Sequence, residues 1–171
     1  MTPRMRLSLF VVAAFVALAA GCAGRSSQIP GTKISDDKAN RAIIEAVEKY
    51  RVAVEKADAE ALFLMASPQY REDSGTPVGL DDYGYEGLKD VLVGRFLMAR
   101  DIRYAMKYVS IKKTCEGEPD VGCRAFVEVL VDASFTVVDA RGQDRRTDKR
   151  DQNELVLEWD PTGAWKFVSG M

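Results

Sequence analysis

Two cysteines in the second half of the chain have the spacing of a chemical pair. Cys115 and Cys123 flank a turn-rich segment, Glu-Gly-Glu-Pro-Asp-Val-Gly, and the chain contains no histidine. A metal pair or a redox couple is not favoured, because the pair has no histidine partner and is not a Cys-x-x-Cys motif. In an exported chain an even pair of this kind is typical of a disulfide. We therefore predict a disulfide between Cys115 and Cys123, with two free thiols as the alternative.

The third cysteine, Cys22, lies at the end of an N-terminal segment of the kind that directs export. Two arginines precede an apolar run, residues 7–18, which is shorter than the roughly 20 residues that span a bilayer. The residues that end in Gly21-Cys22 resemble a bacterial lipobox, with Ala19 where the family usually has Leu. The resemblance implies that residues 1–21 are a lipoprotein signal peptide and that the Cys22 thiol is acylated. An ordinary signal peptide with an unmodified cysteine is the alternative.

Acylation of Cys22 would place the protein in the cell envelope. A diacylglyceryl thioether with a further N-acyl chain, such as palmitate, anchors a protein stably to a membrane. Ala23 and Gly24 do not resemble the acidic signal for retention in the inner membrane. We therefore expect a lipoprotein that faces the periplasm, with the outer membrane favoured. Residues 22–34 are small and polar with Pro and Gly, which predicts a lipidated cysteine and a flexible tether.

Residues 35–171 have the length and composition of one domain, and nothing after Cys22 is long enough to cross a membrane. Removal of the signal peptide leaves 22 basic and 26 acidic side chains, a net charge of −4. A mildly acidic domain with scattered Lys and Arg is not typical of a nucleic-acid-binding protein. We expect no nucleic-acid partner.

One acidic cluster could suggest a metal site. Glu72, Asp73, Asp81 and Asp82 lie close together in the chain, but they lack the ligand spacing and the tight glycine of a calcium loop. Asp82 is instead placed to cap the third predicted helix. Because the chain has no histidine, a Ser-His-Asp triad is also excluded. We predict no metal and no cofactor.

Hydrophobic periodicity predicts three helices. The first begins near Ser35 or Asp36, either of which can cap it, and carries an apolar stripe of Ile43, Val47, Tyr50 and Val54. The second is capped by Asp58 and ends before Pro68, and the third runs over about 84–100. A brief extended piece, residues 69–73, lies between the second and the third.

A period of two then predicts four antiparallel strands. The apolar positions of the first strand change phase after Tyr108, which indicates a bulge. The second strand has one uninterrupted apolar face between Cys123 and Val137. A polar hairpin over about 139–148 precedes the third strand, and a turn over 160–163 precedes the last strand, residues 164–169. Three helices packed in a strongly curved antiparallel sheet make an α+β domain.

This order of elements resembles the nuclear transport factor 2-like, or SnoaL-like, superfamily over nearly all of residues 35–171. The segments that carry the resemblance are residues 46–50 running into 57–62, and the closing Trp-Lys-Phe-Val of residues 165–168. The resemblance implies a cone-shaped, cystatin-like fold with a pocket at its wide end. The superfamily includes isomerases, dehydratases and many non-catalytic modules, so the motifs specify the fold rather than the activity.

Within that superfamily, the ketosteroid-isomerase branch suggests two site residues. Tyr50 matches the position of a tyrosine that donates to an oxyanion, and Asp73 lies near the position of the carboxylate that moves a proton, although Ser74 matches equally well. Tyr50 also lies on the apolar stripe of its helix, where a tyrosine belongs to the core. A core role for Tyr50 is therefore the alternative.

The third predicted strand adds candidates for ligand binding. Asp151 and Asn153 share an inward face with Leu155 and Trp159, toward the mouth of the cone, so Asp151, Asn153 and Trp159 join Tyr50 as candidates. The alternative is that residues 150–153 form an exposed start of the strand. On the second strand, Glu128 and Asp132 point away from the apolar face, and we expect solvent around them.

Together these features predict a lipid-anchored envelope protein with a non-catalytic domain that binds a small apolar ligand or an envelope protein. An isomerase-like or dehydratase-like enzyme that uses Tyr50 and Asp73 is the first alternative, and it requires a buried Asp73. A structural envelope component that works as a homodimer is the second.

Overall fold

The computed structural model describes residues 27–73, 79, 81–139 and 141–171. The predicted signal peptide, Cys22 and Ser74 lie outside the described residues. Within the described part, no helix is both long enough and apolar enough to cross a membrane.

The described residues form three helices and six strands. The helices are α1 (Lys38–Glu55), α2 (Ala59–Met65) and α3 (Tyr85–Met98). The strands are β1 (Arg71–Glu72), β2 (Tyr83–Gly84), β3 (Ala99–Lys113), β4 (Arg124–Val138), β5 (Asp144–Trp159) and β6 (Trp165–Ser169).

Strands β3 to β6 form one antiparallel sheet in the order β3-β4-β5-β6, and β1 pairs with β2 in a separate ribbon. The prediction of an α+β domain with three helices and a four-stranded antiparallel sheet is confirmed. The predicted bulge is also present, because the register of β3 against β4 shifts between Tyr108 and Ser110. A second shift, between Arg100 and Arg103, was not predicted.

The core lies between α1 and one face of the sheet. Val127 and Val129 of β4 and Leu155 and Leu157 of β5 are completely buried, as are Ile43 and Val47 of α1 and Phe167 of β6. Burying one such side chain contributes about 1.5–3 kcal/mol. On the opposite face, Glu128 accepts hydrogen bonds from Ser110 and Gln152, and Asp132 pairs with Arg150 at 3.0 Å. The predicted outward direction of both carboxylates is confirmed.

Two predicted helix caps are wrong and one is confirmed. Helix α1 is capped by Asp37, whose Oδ1 accepts from the Asn40 N–H at 2.8 Å, whereas the Asp36 carboxylate is held by Arg41. Helix α3 begins after Gly84 without a side-chain cap, because residues 83–84 belong to β2. Asp82 instead faces Arg71, at 3.5 Å. Asp58 caps α2 as predicted.

The segment before α1 folds onto the domain. The Ile29 N–H donates to the Ile34 carbonyl at 2.9 Å, the Asp36 N–H donates to the Ser27 carbonyl at 2.7 Å, and Ile34 is buried. The predicted flexible tether over 22–34 is therefore wrong for residues 27–34. The burial of Ile34 and the hydrogen bonds of the turn stabilise these residues by more than the conformational entropy that is lost when they become ordered.

The hairpin between β4 and β5 is shorter than predicted. The Asp139 N–H donates to the Gln143 carbonyl at 2.9 Å, and the Asp139 carboxylate accepts from the Arg141 and Gln143 N–H groups. Strand β5 already begins at Asp144, not near Asp148. The charged residues predicted for the hairpin therefore belong to β5. Charged side chains of β5 form ion pairs with the neighbouring strand, as Arg150 does with Asp132.

The predicted Cys115–Cys123 disulfide is present, with the two Cα atoms 5.5 Å apart. It closes the loop between β3 and β4. Within the described residues, the one group that could hold a metal ion is Cys115, Asp120 and Cys123. Because both sulfurs are joined to each other, neither is available as a thiolate ligand.

Loss of this disulfide is expected to lower the free energy of unfolding by about 2.5 kcal/mol, the loop-closure value for so short a loop. The comparison is urea unfolding of the oxidised domain and of a Cys115→Ala/Cys123→Ala variant. A reductant should lower the stability of the parent by a similar amount and leave the variant unchanged. Equal stability of the oxidised and reduced parent would contradict the prediction.

Candidate functional site

Four tyrosines from four segments lie together at the end of the domain where α1 ends and β3 begins. We call Tyr50, Tyr70, Tyr83 and Tyr104 the tyrosine cluster. The Tyr50 ring meets Tyr104 edge-on, with centroids 6.1 Å apart, and Tyr70 stacks on Tyr83 at 6.2 Å. Tyr50 also packs on Phe167 at 5.3 Å. Tyr50 and Tyr70 are buried, and Tyr104 is partly buried.

The phenol groups of Tyr50 and Tyr104 form a pair, with their oxygens 3.5 Å apart. Burial raises the pKa of Tyr50 well above its ordinary value, and the neighbouring Tyr104 raises it further. Burial also raises the pKa of Tyr104. Both phenols are therefore neutral at physiological pH, and each can donate a hydrogen bond to an acceptor.

An ion network fixes α1 on β3 and so positions this pair. Arg51 binds Glu48 and Glu55 of the same helix, each at 2.7 Å. Glu55 accepts from the backbone N–H of Tyr104 at 3.0 Å, and Glu48 accepts from the Tyr108 hydroxyl at 2.6 Å. Helix and strand are thus tied together at Tyr104 and at Tyr108.

Three of the four predicted ligand-binding residues lie on β5, and the fourth, Tyr50, belongs to the tyrosine cluster. Asp151 lies near the tyrosine cluster, because its charge contributes to the raised pKa of Tyr104. It is exposed and pairs with Lys149 at 3.3 Å. Asn153 instead donates to the Gly170 carbonyl at 2.8 Å. Trp159 packs against Trp165. Trp159 is eight residues from Asp151 along β5, a distance of about 26 Å in an extended strand.

Asp73, the predicted proton-shuttling carboxylate, is exposed. The requirement of the enzyme alternative for a buried Asp73 is therefore not met. Its neighbour Glu72 is half-buried and accepts from the Tyr70 hydroxyl at 2.7 Å and from the Gly170 N–H at 2.8 Å. Sequence reasoning missed Glu72, although alternation along an extended piece puts Tyr70 and Glu72 on the same side.

Arg95 of α3 was also missed. Its Nη2 donates to the Tyr83 hydroxyl at 3.3 Å, and its guanidinium lies 5.9 Å from the centre of the Tyr83 ring. Its positive charge acts on Tyr50 and partly opposes the effect of burial on the Tyr50 pKa. The cluster therefore has a cation on the α3 side and the Asp151 carboxylate on the β5 side.

Two surface cavities border the described residues of α1 and the sheet. One, of about 380 Å³, lies between α1 and α2 on an apolar floor that includes Val52, Ala61 and Met65. The other, of about 540 Å³, is lined along β3, β4 and β5 by Met106, Val131 and Asp151, among others. The second cavity places Asp151 beside apolar side chains, which suits a small ligand that is mainly apolar.

No protein-family model matches the sequence, and no curated protein matches it. Solved structures do share its fold. A ketosteroid isomerase-like protein from Erwinia carotovora atroseptica superposes with a TM-score of 0.61 at 20% identity, covering 78% of this chain and 94% of that one. A protein assigned as a scytalone dehydratase, from Novosphingobium aromaticivorans, has a TM-score of 0.61 at 17% identity, with 77% and 80% covered.

A protein of the nuclear transport factor 2-like family from Streptomyces avermitilis, assigned as a dehydratase, has a TM-score of 0.55 at 16% identity, with 77% of this chain and 92% of that one covered. The domain therefore has the nuclear transport factor 2-like fold. Identities this low define the fold alone, and the same fold carries unrelated functions.

Proposed function

We propose that the protein is a lipoprotein of the cell envelope, anchored through Cys22 and facing the periplasm from the outer membrane. Its cone-shaped domain binds a small apolar ligand without catalysis. The observation that carries the binding proposal is the pair of Tyr50 and Tyr104 phenols, held 3.5 Å apart as neutral donors. An envelope protein in place of the small ligand is the other form of this proposal.

The site is better suited to binding than to proton transfer. A general base at neutral pH needs a carboxylate whose pKa is raised toward 7, usually by burial. Asp73 is exposed and Asp151 is exposed and paired with Lys149. One phenol of the pair can donate to the other, and the second hydroxyl can then donate to a carbonyl or an ether oxygen of the ligand.

Removal of one phenol of the pair should weaken ligand binding. The probe is prodan, an apolar fluorophore with one carbonyl acceptor, titrated into residues 23–171. We expect Tyr50→Phe and Tyr104→Phe each to raise the dissociation constant about five- to tenfold, since a hydrogen bond contributes about 1 kcal/mol.

Tyr85→Phe is the matched control, because the Tyr85 ring stacks on Phe63 and lies outside both the cluster and the ion network. An equal loss in all three variants, or no loss in either cluster variant, would overturn the binding site. Native mass spectrometry of the domain, released without denaturation, would in addition identify any molecule that co-purifies.

The lipid anchor is tested separately on the full chain expressed in a bacterial envelope. The N-terminal peptide should begin at Cys22 and carry diacylglyceryl and N-acyl groups in its mass spectrum. A signal peptide cleaved elsewhere, or an unmodified Cys22, would refute the anchor and leave the binding site open to test.

The enzyme alternative is favoured by one observation, the position of Asp151 in the wall of the second cavity beside Met106 and Val131. In this arrangement Asp151, rather than Asp73, would be the base beside two oxyanion donors. Two fold neighbours are named for isomerase and dehydratase activities. Isomerisation of an unsaturated ketone that is lost in Asp151→Asn would support the alternative. The structural alternative, a homodimer formed through the sheet, predicts association that depends on protein concentration.

A further inference from the structure

We infer that, in the anchored protein, the disulfide end of the domain faces the bilayer and the tyrosine cluster faces away from it. The disulfide end comprises residues 27–38 and 114–123. This inference rests on the proposed anchor at Cys22. It assigns a membrane-facing surface to the domain, and the surface it meets is that of the lipid headgroups.

The first step is the place where the chain leaves the domain. Ser27 is fixed by the hydrogen bond from the Asp36 N–H to its carbonyl, and Gln28 pairs with Ser35 in an antiparallel bridge. Asp36 immediately precedes Asp37, the cap of α1. The chain therefore reaches the domain at the N-terminal end of α1.

The disulfide loop lies at the same end. Lys38, the first residue of α1, pairs with Glu118 of the loop at 3.0 Å. Lys113, the last residue of β3, lies 3.8 Å from Asp37. Val121 in this loop is 65% exposed. The loop and the chain exit therefore form one surface.

The tyrosine cluster lies at the other end of α1. Glu55, the last residue of the helix, accepts from the Tyr104 N–H, and Tyr50 is one and a half turns before it. A helix of 18 residues is about 27 Å long. Leu97 and Met98, which are exposed, also lie at this end of the domain, where α3 ends and β3 begins.

The tether is too short for the domain to turn over. From Cys22 to Ser27 the chain has five steps, which reach about 18 Å when fully extended. That is less than the length of α1, so the domain cannot invert and place the far end of α1 against the bilayer with the disulfide end pointing away.

Contact at the disulfide end comes from tethering and not from charge. Its charged side chains are mainly acidic, with five carboxylates against the two ammonium groups of Lys33 and Lys38. A mainly acidic surface has no net attraction for anionic lipids. The anchor instead holds the Val121 loop at a high effective concentration beside the headgroups.

The experiment places a photo-crosslinking residue, p-benzoylphenylalanine, at Val121 or, as the matched control, at Leu97. Both positions are well exposed, so the fold should tolerate the change. Residues 22–171 are anchored in vesicles of phosphatidylethanolamine and phosphatidylglycerol, either by the natural acyl groups or by a maleimide lipid on Cys22. We expect a lipid adduct from position 121 and no adduct from position 97.

A long Gly-Ser insertion after Ala23 should allow the domain to turn and should produce the adduct at position 97. Adducts of equal yield at both positions with the natural tether, or an adduct at position 97 alone, would overturn the orientation. No adduct at position 121 would do the same. If Cys22 proves to be unmodified in cells, the proposed anchor fails, while the maleimide-lipid arm still reports the orientation by itself.

Discussion

Gly170→Ala is expected to lower the free energy of unfolding by about 3 kcal/mol or more. Gly170 has a φ of +89°, and a Cβ at this position would lie 2.3 Å from the Glu154 carbonyl oxygen and 3.1 Å from the Leu155 Cα. Both contacts are with backbone, which cannot move aside without shifting β5. Urea unfolding followed by tryptophan fluorescence measures the loss.

Gly142→Ala is the matched control for backbone strain alone. Gly142 has a φ of +75°, but a Cβ there has no atom within 4 Å. We expect it to cost about 1 kcal/mol, the strain of a left-handed residue. Equal losses in the two variants would show that the close approach of Gly170 to β5 carries no cost.

Stability is expected to fall steeply at alkaline pH. Burial raises the pKa of Tyr50, and burial together with the Glu72 carboxylate raises that of Tyr70. A pKa that is higher in the folded state gives stability that is complete below the pKa of the unfolded chain, near 10, and is lost as the pH rises from there toward the folded value. These two phenols contribute about 2.7 kcal/mol per pH unit above pH 10, and Tyr104 and Tyr108, whose pKa values are also raised by burial, add to this slope.

The measurement is urea unfolding at a series of pH values, with tyrosinate absorbance recorded on the same samples. Tyr50→Phe should make the slope shallower by about 1.4 kcal/mol per pH unit, because one titrating group is removed. A slope unchanged by this substitution would mean that the Tyr50 phenol ionises in the folded protein as readily as in the unfolded chain.

The fold could be predicted because its signals are local and periodic. The apolar stripe of α1, the uninterrupted valine face of β4 and the change of phase after Tyr108 each specify an element from neighbouring residues. The ends of elements were harder to predict. The caps of α1 and α3 depend on choices among adjacent residues, and the tertiary pairing of β1 with β2 decides where α3 begins.

The candidate site was predicted only in part, because it depends on contacts between distant segments. Tyr50 was recognised from its helix position, but its partner Tyr104 is 54 residues away. Glu72 and Arg95 were missed since their partners come from the C-terminal residues and from β2. Asp151, Asn153 and Trp159 do share one strand face, yet a strand of 16 residues spreads them over different neighbourhoods.

The order of the strands has a consequence for how the chain acquires its structure. Because every strand of the sheet pairs with its neighbour in sequence, each hairpin can form locally and early, within microseconds. The packing around the helices, however, is completed only by the last strand, β6, and the residues after it. Ala66 bridges Phe167, and the Met171 N–H donates to the hydroxyl of Tyr70, 101 residues earlier. During synthesis the apolar faces of α1 and α2 therefore stay exposed until almost the entire chain, including β6, has been made. Until then these faces can be bound by chaperones.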